Sequence, residues 1–204
     1  MAPIVIFGCG GHGRSVGDVI LFNDPAARLI YVDSAARTGE TILGFDALRD
    51  VPDDTSYSCI VGIGDNAARK TMFDLISRKT GLTVISVISR TAHLGRNSRI
   101  EAGSFIGNFC HVGPEVSVGC NSILNNACVV DHEVSIGRHC HIGPNATISS
   151  RSKIGDLVFI GVGATVIDKV SVCSNVIIGA GATVTKDITE PGTYVGTPVR
   201  RLAR

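Results

Sequence analysis

The chain has 204 residues, enough for one large domain or two small ones, and sets 19 Lys+Arg against 18 Asp+Glu for a net charge of +1. That balance supplies no electrostatic footprint for nucleic acid or an anionic membrane, so a small-molecule partner is expected and both macromolecular classes are set aside. No apolar run approaches the roughly 20 residues that cross a bilayer, and no basic segment followed by a signal-like core opens the chain, which reads as cytoplasmic.

Residues 1–87 alternate strand and helix, the pattern of a small α/β unit of Rossmann-like half-domain type. Pro3 to Phe7 is a short apolar strand, followed by Gly8-Cys9-Gly10-Gly11-His12-Gly13 and a helix near Arg14 to Phe22. Leu29 to Val32 is a second strand ending in Asp33. A third lies near Ser58 to Ile63, Gly64-Asp65-Asn66 turns into a helix reaching about Lys79, and a strand follows near Leu82 to Val87. Gly8, Gly10 and Gly13 match GxGxxG between strand and helix, where backbone N–H groups can meet a phosphate, with Asp33 twenty residues beyond Gly13 as a ribose or base partner. A full dinucleotide fold does not fit in so short a segment, so nucleotide-sugar binding is favoured over NAD. His12, within the glycine segment, reads as a loop imidazole able to donate to a ligand, or as a surface histidine.

From Ile88 to Val184 an aliphatic residue recurs every six positions without a slip, and four residues beyond each stands a small or β-branched one, from Ala92 through Cys110, Val134 and Ala164 to Ile188. Six fits neither the 3.6 of a helix nor the alternation of a plain sheet, but it fits a solenoid of short strands, three hexads to a triangular coil and between five and six coils in all. Glycine often follows the aliphatic residue, as at Gly95, Gly113 and Gly161, and is expected to mark the tight corners. Only 5% of residues are aromatic while 24 are glycine, and the seven cysteines are scattered without a CxxC pair, so a core of small side chains is expected rather than disulfides or a metal site. The division is thus 1–87 for a nucleotide-sugar-binding domain and 88–204 for the solenoid and its tail.

The hexad pattern resembles that of the hexapeptide-repeat acyltransferases, and the acyl transfer this implies, to an amine or hydroxyl, needs a base, for which histidine titrates in the right range. His93 and His111 stack one coil apart and read as structural or surface groups. His132 lies in Val130-Asp131-His132-Glu133, where either flanking carboxylate can orient an imidazole, and it is the best base candidate. His141 neighbours the inward Cys140 and so can face outward. Because the hexads never break, no long loop builds a pocket on the flat faces, which argues for a second subunit, with a trimer as the natural closed arrangement.

The opening IVIFGCGGHG, the VDHEVSIGRHCHIGPNA block, the IGAGATVTKDI coil and the terminal YVGTPVRRL together resemble the hexapeptide-repeat sugar acyltransferases of the PglD and NeuD type. The resemblance implies a left-handed parallel β-helix, a homotrimer, acetyl-CoA as co-substrate with no metal, and a place in polysaccharide biosynthesis. It further implies N-acetylation of a 4-amino-4,6-dideoxy sugar on UDP or another nucleotide, with His132 as general base supported by Glu133. By the same likeness His141 helps hold the acetyl carbonyl, and Asn125 matches a polar substrate position. Gly8, Gly10, Gly11, His12, Gly13 and Asp33 would hold the nucleotide-sugar, and the CoA arm would meet the backbone near Ser150 and Ala180. Arg200, Arg201 and Arg204 can offer cations to CoA phosphates. The alternatives are O-acetylation of a sialic-acid-like sugar, a zinc hydratase on the same scaffold, and a sugar-binding scaffold without catalysis.

Overall fold

The computed structural model describes residues 3–51, 57–79 and 81–203, and Arg204 lies outside them. Strand β1 (Ile4–Phe7) is followed by helix α1 (Gly11–Asn23), β2 (Leu29–Val32), β3 (Thr41–Ile42), β4 (Phe45–Leu48), β5 (Tyr57–Val61), α2 (Asn66–Ile76) and β6 (Leu82–Val84). They form one sheet of order β3-β4-β2-β1-β5-β6, parallel except for the β3–β4 hairpin. The apolar runs IVIF and YSCIV are buried because both sit mid-sheet. From β1 the chain goes first to β2 on one side and later to β5 on the other, so a crevice opens past the carboxyl ends of β1 and β5, where a ligand finds backbone ends from both directions.

Two local features depart from the sequence reading. Helix α1 begins at Gly11 instead of near Arg14, so His12 belongs to a helical first turn and not to a loop. The β3–β4 hairpin goes unforeseen because its turn is Leu43-Gly44, both with positive φ, and leucine is not a residue that announces such a turn.

At Val87–Ile88 the chain enters a parallel β-helix of two-residue strands with three faces. The first face stacks Val87–Ile88, Phe105–Ile106, Ile123–Leu124, His141–Ile142, Phe159–Ile160 and Val176–Ile178. The second runs from His93–Leu94 to Thr183–Val184, and the third from Arg99–Ile100 to Ser171–Val172. Each strand pairs with the one 18 residues along, so the six-residue period of the sequence becomes one face per hexad. The aliphatic column and the small column both point inward and form one core, including Val112, Val130, Ile148, Cys128, Ala146 and Ala164.

The glycines open the corner turns: the carbonyls of Gly95, Gly143 and Gly161 accept the N–H three residues on, at 3.2, 3.2 and 3.1 Å. From Leu94 to Ile178 the residue three beyond the aliphatic position takes the left-handed conformation, as at Asn97, Phe109, Glu115, Glu133, His139 and Lys169, with φ between 58° and 61°, and at Gly103, Gly163 and Gly181. The glycine after the aliphatic residue answers another need, the close stacking of coils. A Cβ on Gly113 would lie 2.8 Å from the His132 nitrogen, and one on Gly161 2.5 Å from the Ala180 nitrogen, both closer than van der Waals contact allows.

The α/β unit lies against the first face near the start of the β-helix. The outward Val87, Phe105 and Ile123 join Ile6, Val16, Ile20 and Ile60 in one buried cluster, so the two parts share a core. Asn23 clamps the junction, donating its Nδ2 to the Ile88 carbonyl at 2.7 Å and accepting the Arg90 N–H at 2.9 Å. Further along the same face Phe159 is half-buried and Ile177 is exposed, since the α/β unit does not extend over them.

Candidate active site

The turn between the second and third faces carries Asp131, His132 and Glu133. Glu133 Oε2 lies 2.8 Å from His132 Nδ1, with both side chains over a third exposed, at 39% and 46%. The left-handed backbone of Glu133 lets adjacent side chains converge in this way. A carboxylate at Nδ1 fixes the proton there and leaves the Nε2 lone pair facing outward, the arrangement a general base requires. Asp131 does something else. Its Oδ1 accepts the His132 backbone N–H at 2.7 Å and its Oδ2 accepts the Ser150 hydroxyl at 2.7 Å; these bonds, the hydroxyl first, hold its carboxyl below the usual range. Of the two acids flanking His132, Glu133 orients the ring and Asp131 the backbone, while Ser150 ties the dyad to the next coil.

His141 occupies the first face. Its Nδ1 is 3.2 Å from the Gly64 carbonyl, to which it can only donate, and its Nε2 is 3.2 Å from Asn125 Nδ2. The Asn125 amide is itself oriented, because its Oδ1 accepts the Asn126 N–H at 2.8 Å. His12, in the first turn of α1, stands edge-on to Phe105 at 5.0 Å and 6.2 Å from the His141 ring, with its Nε2 buried and unpartnered. Burial pushes the pKa of His12 down to about 3 and that of His141 to about 4, so both are neutral near pH 7. Position 12, read as a loop imidazole or a surface histidine, is therefore a helical imidazole with its Nε2 turned inward.

These depressed values predict a pH dependence of stability. A histidine that titrates at 6.5 when unfolded but near 4 or 3 when folded binds more protons in the unfolded chain, so stability is full above pH 6.5 and falls as pH drops toward 4. The loss should be on the order of a few kcal/mol for the pair. Thermal melts between pH 8 and pH 4.5 should show a midpoint that declines only below about 6.5; a flat profile would contradict the buried neutral pair.

The glycine segment is divided in purpose. A Cβ on Gly13 would strike the Gly8 carbonyl at 2.1 Å, so Gly13 permits the helix to sit on the strand end, and Gly8 itself has φ of 117°. Gly10 and Gly11 have nothing within 4 Å of a Cβ, and Gly10 caps α1 without a side-chain hydrogen bond, leaving the first-turn N–H groups open. Asp33 accepts the Cys9 N–H at 3.1 Å and the Ala35 N–H at 3.0 Å, so it braces this segment. Beside it a cavity of about 380 Å³ is lined by Gly8, Asp33, Ser34, Arg49, Ile63 and Lys79. A second cavity, of about 620 Å³, lies between the start of α2 and the first face and is lined by Gly64, Asn66, His141, Phe159 and Ile177.

The structure gathers the predicted residues into two groups rather than one. His132, Glu133 and Ser150 share the edge between the second and third faces, whereas His141 stands on the first face, which lies across the prism from that edge. Asn125 follows the first-face strand Ile123–Leu124, and Ala180 lies at the edge between the first and second faces. The packed core separates the two groups within one chain. In the tail, Arg201 is already engaged by Glu190 and the Pro191 carbonyl, and Arg200 is exposed. His93 and His111 stack at 5.1 Å on the second face, as the 18-residue spacing implies. No group of three or more His, Cys, Asp or Glu among the described residues is placed to hold a metal ion.

Sequence reasoning missed Arg69, which joins α2 to the β-helix. Its signal was helical spacing, since Arg69, Phe73 and Ile76 fall on one face of α2 and Arg69 and Ile76 are buried.

The molecule thus combines a β-helix of hexads, an exposed His–Glu dyad on one edge and an α/β unit presenting an open glycine turn. Residues 3–76 match the PglD N-terminal domain, and residues 151–186 match the bacterial transferase hexapeptide (six repeats). The structure is similar along its full length to PerB from Caulobacter crescentus in complex with CoA and GDP-perosamine (TM-score 0.89, 25% identity, 100% of this chain and 98% of that one). It is equally similar to the acetyltransferase domain of PglB from Neisseria gonorrhoeae in complex with acetyl coenzyme A (TM-score 0.89, 26% identity, 98% of each chain). WeeI from Acinetobacter baumannii shares the fold at 23% identity (TM-score 0.90, 98% of this chain and 99% of that one). No curated protein matches the sequence. The two domain matches, in this order and with likeness over the whole chain, fit the pattern of a sugar acetyltransferase of the PglD/NeuD type.

Proposed function

We propose that the protein transfers acetyl from acetyl-CoA to the amine of a nucleotide-linked 4-amino-4,6-dideoxy sugar, in a site assembled between two copies of a homotrimer. The observation that carries this reading is the placement of the His132–Glu133 dyad and of His141 on opposite sides of the prism. One copy then supplies His132, Glu133 and Ser150, and its neighbour supplies Asn125, His141 and Ala180. Exposed apolar groups support burial against another copy: Phe109 is 71% exposed, and Val129, Val162 and Ile177 are also open.

In this reading residues 1–87 bind the nucleotide-sugar and 88–204 carry the transfer. The open turn at Gly10 and Gly11 and the first turn of α1 receive the pyrophosphate, with the base and ribose in the cavity beside Asp33. His12 and His141, both neutral, line the passage from that domain to the acetyl group. The cavity of about 620 Å³ is of ordinary ligand size, and its walls, Phe159 and Ile177, suit the pantetheine arm. His132 Nε2 takes the proton as the amine adds to the thioester carbonyl; the C–S bond then breaks and the thiol of CoA leaves. No acyl-enzyme forms. Similarity to proteins crystallised with CoA, acetyl coenzyme A and GDP-perosamine supports the amine as acceptor and a nucleotide as carrier.

Release of CoA thiol, followed across a panel of UDP-, GDP- and dTDP-linked 4-amino-4,6-dideoxy sugars, tests the proposal. Turnover should require both the amine and the attached nucleotide. Thiol release with a sialic-acid hydroxyl but with no amino sugar would replace the reading by O-acetylation, and release with neither would leave a binding scaffold.

A further inference from the structure

Arg69 is 1% exposed and makes no ion pair among the described residues, an expensive way to fill an interface, since an apolar side chain of similar size spares the cost of burying charge. Its guanidinium is met by neutral acceptors instead. Nε donates to the Asn121 carbonyl at 2.9 Å, and Nη1 to the carbonyls of Ile63 and Gly64 at 3.2 and 3.0 Å. Nη2 donates to Asn66 Oδ1 at 2.7 Å and to the carbonyls of His139 and Cys140 at 2.9 and 3.0 Å. Burial lowers its pKa only to about 10, so it stays charged at neutral pH.

The choice of acceptors is informative. His139 and Cys140 are the two residues from which the chain runs into His141, and the Gly64 carbonyl is the acceptor of the His141 Nδ1–H. One guanidinium therefore holds both the backbone that carries the imidazole and the oxygen that selects its tautomer. A Lys ammonium, a point charge on a flexible stem, cannot span both turns. We propose that Arg69 is a positioning residue for the acetyl-transfer site, locking His141 in the Nδ1–H form with Nε2 as a hydrogen-bond acceptor. The inference rests on the reading of His141 as an acetyl-site residue. With Nε2 accepting from Asn125, His141 offers no N–H to the thioester carbonyl; it orients the Asn125 amide, whose second hydrogen is free to do so.

Side-chain nitrogen–proton correlation spectra of the histidine-labelled full chain, in the absence of substrate, read the tautomer directly. Wild type should show His141 as Nδ1–H between pH 6 and 8, and Arg69→Lys should give a mixture of tautomers. In parallel, kcat/KM for acetyl-CoA should fall about 10- to 100-fold in Arg69→Lys, with the KM for the nucleotide-sugar much less affected, as expected for a misplaced group. Should that variant fail to fold, Asn66→Ala, which frees one acceptor of Nη2, must shift the same His141 signals. An Nε2–H or charged His141 in wild type, or unmoved signals in the variants, overturns the proposal. A wild type that shows the Nδ1–H form and variants that lose it, but no thiol release with any amino sugar, supports the positioning and refutes the acetyl-transfer reading.

Discussion

His132→Ala should lower kcat about 10²- to 10⁴-fold while leaving the coils and the proposed trimer intact, because it removes the one imidazole among the described residues that is exposed and held at Nδ1 by a carboxylate. The side chain lies outside the packed core, and the turn itself is held by the Asp131 carboxylate on the His132 N–H and by the Glu133 N–H on the Pro114 carbonyl. Neither bond uses the imidazole, so the loss should appear in turnover and not in melting temperature. The flanking acids should separate in the same assay. Glu133→Gln weakens the hold on Nδ1 and should depress kcat, whereas Asp131→Asn acts first on the backbone of the turn and on Ser150, so that it should disturb stability and the proposed CoA contact as well. Turnover close to wild type in His132→Ala would remove this residue from the mechanism.

How much of this was legible beforehand depended on the range of each interaction. The β-helix was readable because its period is local: one hexad makes one face, and both inward columns could be written out from Ile88 to Ile188 before any contact was known. The glycines marked the starts of the corner turns, but the left-handed residue falls two positions later, on Glu133, His139 and Lys169 among others, and the close approach that demands Gly113 and Gly161 comes from the next coil. The dyad was visible as adjacent residues, but which acid served which purpose was settled only by the turn geometry, in which Glu133 reaches the ring while Asp131 reaches backward to its neighbour's N–H. His12 and Arg69 were misjudged or missed for a common reason. Both act across the junction of the α/β unit with the first face, against Phe105, Asn121 and Cys140, and no spacing within the chain encodes that docking.

The same junction explains why the site residues are spread over the prism. It sets Gly64 and His12 of the α/β unit against His141 of the first face, so the α/β unit and the dyad of one chain face away from each other. In the proposed site a neighbour's edge brings His132 to the sugar, and the closed rotational symmetry of the proposed trimer would supply that edge three times.

Subunit complementation tests this directly. His132→Ala and His141→Ala, each inactive or nearly so as a pure oligomer, are co-expressed in equal amounts with different tags, and mixed oligomers are isolated and assayed for CoA release. A pairing is intact wherever a His141→Ala copy lends its dyad to a His132→Ala copy that keeps its His141, which every mixed trimer provides at one of its three interfaces, about one third of them. The account predicts recovery to roughly that fraction of wild-type turnover. Mixed oligomers as inactive as their parents, or a fully active monomer, would contradict it.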